Sequence, residues 1–115
     1  MLEFRLRYLL TFALALPSLL LLSACERKQV SGNPQAGREL FQAGCAVCHY
    51  ANASQKKVGP GLFGLYHLQA LPNGEAVTDT NVERWIRNGG GLMPGFKNAL
   101  SPQQMNDLIA YLKTL

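Results

Sequence analysis

Cys45-Ala46-Val47-Cys48-His49 is the stretch that decides how this chain is read. Two thiols bracket two residues, and an imidazole follows at once. Four chemistries use a CxxC pair. A zinc site takes about four N/S ligands, commonly from two such pairs, yet the chain adds only Cys25 and His67 to this stretch. Cys48 and His49, adjacent in sequence, also suit one tetrahedron poorly. A thioredoxin-like pair sits beside a βαβ pattern, and no run here alternates strand with helix. A structural disulfide suits an oxidising compartment but leaves His49 without a role. Covalent attachment of a c-type haem uses all three side chains. Each thiol adds to a vinyl group, and the histidine becomes the proximal ligand of the iron.

The first 25 residues read as an address. Met1 to Tyr8 carries Arg5 and Arg7 against Glu3, and Leu9 to Leu22 (LLTFALALPSLLLL) has no charge. A basic start followed by such a stretch is a secretory signal. It falls short of the roughly 20 residues that span a bilayer, and Pro17 interrupts it. Leu22-Ser23-Ala24-Cys25 resembles the bacterial lipoprotein box. That resemblance implies removal of residues 1–24 and lipidation of Cys25. An uncleaved signal anchor is the competing reading, and either one exports and tethers the domain. In that family an aspartate after the cysteine often marks inner-membrane retention; with Glu26 there, inner and outer membrane both stay open. The expected location is the periplasmic face of a bacterial membrane. Residues 25–33, CERKQVSGN, read as a lipidated polar tether.

Residues 34–115 are then one small domain. Removing Arg5, Arg7 and Glu3 from totals of 11 basic and 7 acidic residues leaves a side-chain charge of +3. No basic cluster of the kind nucleic acid selects is present; Lys56-Lys57 is the densest basic spot and reads as a solvated loop. A domain this short has a marginal core and gains from a staple. A haem held by two thioethers would supply one.

The expected architecture is all-α, with about three main helices. Asn33 is a good N-cap and Pro34 suits the first helical position. Ala36, Leu40 and Phe41 give that helix one apolar face, and Gly44 offers a stop. A second helix is expected over Asn81–Asn88, with Thr80-Asn81-Val82-Glu83 as a capping box and Gly89 as terminator. Ser101-Pro102-Gln103-Gln104 opens a third. Met105, Leu108, Ile109 and Leu112 then fall on one face. Segments 50–61 and 72–80 are turn-rich, without alternation.

Over roughly residues 34–115 the chain resembles the class I c-type cytochromes. Gly37 and Phe41 stand where that family's first helix crosses its last, and Leu108 and Tyr111 stand where it places their partners. Gly59-Pro60-Gly61-Leu62 resembles the segment whose proline carbonyl accepts the proximal imidazole's hydrogen bond, which implies that role for Pro60. Met93-Pro94-Gly95-Phe96 resembles the loop that delivers the distal methionine. A glycine-rich loop gives Met93 no regular face to pack on, and Pro94 stiffens the chain after it. His67 is the alternative sixth ligand, whereas Met105 belongs to an apolar stripe. Phe63 and Tyr66 are expected to line the haem pocket, and Trp85 to meet a propionate or pack in the core.

The expected function is electron transfer by a monohaem, monomeric carrier that docks transiently on redox proteins, rather than enzymatic catalysis. A dedicated subunit of a dehydrogenase or reductase complex is an alternative. A haem peroxidase or sensor would need an open iron site, which Met93 opposes.

Overall fold

The computed structural model describes residues 31–115. The apolar leader, Cys25 and the tether as far as residue 30 lie outside the described residues. Helix α1 spans Pro34–Leu40 and runs on into a π-helical turn, Phe41–Cys45. A 3₁₀ turn occupies Leu65–His67. Helix α2 spans Asp79–Asn88 and α3 spans Pro102–Leu112. Two isolated bridges, Ala70 with Ala76 and Gly90 with Met93, are the β-type pairings among the described residues. No helix among them is long and apolar enough to cross a membrane.

Local capping chemistry starts each helix. The Asn33 side chain accepts from the Gln35 and Ala36 amides, and Pro34 follows. Ser101 and Gln104 cap α3 reciprocally: the Gln104 amide donates to Ser101 Oγ, and Gln104 Oε1 accepts from the Ser101 amide. Helix α2 begins two residues before the expected Asn81. Its cap is Thr78, whose Oγ1 accepts from the Asn81 amide at 3.2 Å. Asn81 Nδ2 also donates to the Ala76 carbonyl just upstream of this cap. Gly44 does not stop α1. The Ala46 amide reaches back to the Phe41 carbonyl at 2.9 Å, widening the last turn and carrying it through Cys45.

Helix α1 packs mainly on α3, and α2 touches α3 more lightly. Phe41, Met105 and Leu108 are the largest fully buried side chains, and Leu65, Leu71, Val82 and Ile86 close the core around them. The crossing is close. A Cβ on Gly37 would lie 1.9 Å from the Asp107 carbonyl oxygen, so only glycine fits. One turn on, the Phe41 and Tyr111 rings meet with centroids 5.5 Å apart and planes tilted by 57°. Such a pair adds about 0.5–1.5 kcal/mol beyond its buried area.

The end of the expected tether belongs with this crossing. Gly32 lies against the Asn106 backbone, and the Asn33 amide donates to Asp107 Oδ1 at 2.7 Å. Gln103 Nε2 donates to the same oxygen at 2.8 Å, so the buried carboxylate is held from two sides.

Gly37→Ala is expected to destabilise the domain by about 2–4 kcal/mol, because backbone must move to admit the methyl. Gly44→Ala, where a Cβ meets nothing within 4 Å, is the control. It is expected to be neutral or stabilising by about 0.5–1 kcal/mol. Denaturant midpoints of the two variants check both values.

Candidate functional site

The site grows from the end of α1. The Cys45 carbonyl accepts from both the Cys48 amide (3.0 Å) and the His49 amide (2.9 Å). This tight turn sets both thiols and the imidazole on one short loop. Cys45 and Cys48 are free thiols, each half-buried. Burial first, and the neighbouring Cys48 second, raise the Cys45 pKa above the ordinary thiol value. A thiol so raised is protonated at neutral pH, the opposite of an activated redox nucleophile. Among the described residues no three His, Cys, Asp or Glu side chains converge as a metal cluster, so the donors of a zinc site do not assemble.

Segment 57–62 closes over this loop. His49 Nδ1 lies 2.8 Å from the Pro60 carbonyl oxygen. A carbonyl can only accept, so Nδ1 carries the proton and donates. That tautomer leaves the Nε2 lone pair free for a metal, with the ring oriented by its partner. The Gly59 amide donates to the Cys48 carbonyl and the Leu62 amide to the Tyr50 carbonyl, both at 2.8 Å. Gly59 itself lies flat on the imidazole: a Cβ there would stand 2.4 Å from His49 Cε1. On the other side of Pro60, a Cβ on Gly61 would meet the Ala53 carbonyl oxygen at 2.0 Å. Both glycines that flank Pro60 are therefore demanded by contact.

Met93 is held on a separate element. Gly90 and Met93 exchange backbone hydrogen bonds of 3.0 and 3.1 Å, closing a small loop with Gly91 and Leu92 at its tip. Leu92 is 90% exposed, whereas Met93 is half-buried against the core. The loop is laced to the end of α2 by Phe96 N–H to the Ile86 carbonyl and Lys97 N–H to the Arg87 carbonyl, each 3.0 Å. The Trp85 ring lies against Gly90, so this half-buried side chain supports the methionine loop. Met93 is thus tied to α2 and the Cys45–His49 loop to α1, and Cys45 and Met93 both pack against the common core.

The other candidates separate clearly. Met105 is fully buried at 0% exposure in the core. His67 is exposed on the 3₁₀ turn. Phe63 is 61% exposed among the protein's own atoms. Tyr66 is half-buried, and its hydroxyl pKa is held well above the usual tyrosine value by burial and then by Asp79. Lys113 lies over the Tyr66 ring and pairs with Asp79, so Tyr66 belongs to a contact between α2 and α3. Lys57, expected to be merely solvated, sends its ammonium to the Ala46 carbonyl at 2.7 Å.

The donor set suits a haem bound by two thioethers: two free thiols on one turn, an imidazole with Nε2 free, and a partly buried thioether in a second loop. Comparison with known proteins agrees. Residues 32–112 match the family model described as cytochrome c oxidase, cbb3-type, subunit III. The chain is 30% identical over 100 residues to cytochrome c2 of Rhodopila globiformis, covering 73% of this chain and 94% of that protein. It is 31% identical over 105 residues to a cytochrome c6 of Synechocystis, covering 88% of this chain and 83% of that one. In fold it is similar to cytochrome c6 from the diatom Phaeodactylum tricornutum, with a TM-score of 0.58 at 24% identity, over 72% of this chain and 93% of that one.

Gly59→Ala is expected to tilt the His49 ring away from Pro60, since a methyl at 2.4 Å from Cε1 cannot be absorbed in place. The NMR signal of the ring N–H checks this. A wild-type shift and exchange rate for that proton would mean that the 57–62 segment moves instead.

Proposed function

Because the chain belongs to the class I c-type cytochromes and has their all-α fold, we propose that it is a monohaem electron carrier attached through Cys45 and Cys48. The observation that carries this reading is the His49–Pro60 hydrogen bond, which frees Nε2 on a ring pressed against Gly59. Haem c, when bound, supplies a one-electron Fe(III)/Fe(II) couple. The two cysteines fix its position through sulfur. His49 is the proximal ligand, kept in one tautomer and one orientation by the Pro60 carbonyl.

Met93 would hold the iron on the side away from His49. Its thioether is soft and favours the reduced state, which raises the potential relative to a second histidine. With His49 and Met93 both available to hold the iron, substrate binding at the metal would be disfavoured and the group would supply outer-sphere electron exchange. Exposed apolar side chains at Val47, Val58 and Leu92 suit a small, transient contact with redox proteins. Lipid at Cys25 would hold the carrier at the periplasmic face of a membrane, inner or outer. A second reading, a dedicated subunit of a larger complex, is favoured by the family model's own description as an oxidase subunit. Co-purification from detergent-solubilised membranes separates the two.

Met93→Ala is expected to abolish the Fe–S absorption band of the oxidised protein. It should also lower the midpoint potential by roughly 100 mV or more, within the ~0.8 V that axial ligands command. An unchanged spectrum and potential would pass the distal role to another residue, with His67 next. Cys25→Ser is expected to release the domain from the membrane on fractionation; retention would favour an uncleaved signal anchor.

A further inference from the structure

Lys57 is placed where the haem-attachment loop and its covering segment meet. Its Nζ donates to the Ala46 carbonyl at 2.7 Å, and Ala46 stands between the two cysteines. That carbonyl closes the C-terminal end of α1, whose last carbonyls have no partner within the helix and attract a cation. The Lys57 backbone is committed as well, its amide donating to the Gly59 carbonyl at 2.9 Å. Gly59 N–H in turn holds the Cys48 carbonyl, and the next residue's carbonyl holds His49 Nδ1. The ammonium also lies 5.3 Å from the Tyr50 ring centroid, a second attraction on the same loop. Three successive contacts, at Ala46, Cys48 and His49, therefore fasten residues 57–60 along the attachment loop, and Lys57 supplies the outermost.

We infer that Lys57 is a positioning residue for His49: by tying residue 57 to the Ala46 carbonyl, it keeps the Pro60 carbonyl on the imidazole Nδ1–H. This rests on the cytochrome reading above. Without the ammonium, the segment keeps the Gly59 and Pro60 bonds but loses the end that prevents it from peeling away. A charge-assisted hydrogen bond is worth about tenfold in such a local equilibrium.

The test uses the haem-loaded, reduced holoprotein and the exchange rate of the His49 ring N–H by proton NMR. Lys57→Met retains the stem and removes the donor; it is expected to accelerate that exchange about tenfold, while the Leu112 amide in α3 keeps its wild-type rate. Lys57→Arg retains a cationic donor and is expected to return the ring proton to within about twofold of wild type. A wild-type rate in Lys57→Met, or an arginine variant as fast as the methionine variant, overturns the inference. If Lys57→Met fails to accumulate, Lys57→Leu, which also lacks a donor, replaces it, and a wild-type rate there overturns the inference equally. Wild-type protein that carries no covalent haem would instead defeat the cytochrome reading, before any variant is compared.

Discussion

The close crossing of α1 on α3 at Gly37 is the constraint on which the rest of the structure depends. With the Asp107 carbonyl where a Cβ would stand, the two helix backbones meet without a side chain between them. Phe41 is carried into the core against Tyr111 and Leu108. The same helix then widens into a π-helical turn and delivers Cys45 just beyond the buried phenylalanine. The attachment loop therefore starts from a residue whose place is set by packing. Buried Asp107 reinforces the crossing by holding the Asn33 amide, so the chain entering α1 is fastened to the helix that α1 crosses.

From that base two irregular walls are built. One is the Cys45–His49 turn with residues 57–62 laid over it, and its bonds run mostly through backbone. The other is the Met93 loop, laced to the last turn of α2. Neither wall is a regular element. Each is held by a helix end, where unpaired carbonyls and tight glycine contacts allow close approach. A tight loop can present a thioether or an imidazole where a helix face would present a stripe, and the apolar stripe of α3 stays in the core.

Much of this was legible in the chain because the relevant signals are local. Asn33-Pro34 and the Ser101–Gln104 box state their helix starts within four residues, and the stripe from Met105 to Leu112 is buried as its spacing predicts. Signals that depend on distant partners were not legible. The capping box expected at Thr80 is replaced by a cap at Thr78, with the Asn81 side chain reaching back to the Ala76 carbonyl. Gly44 reads as a stop, yet the wide turn across it is set by the loop that follows. Lys57 shows no periodicity, because its partner Ala46 stands 11 residues earlier. Gly32 looks like tether until α3 is placed beside it.

The most direct measurement is made on the whole protein. Purified and washed with acidified organic solvent, the polypeptide is predicted to stay coloured, with a mass increase of one haem on the peptide containing Cys45 and Cys48. A colourless chain whose pigment passes into the solvent would contradict the account.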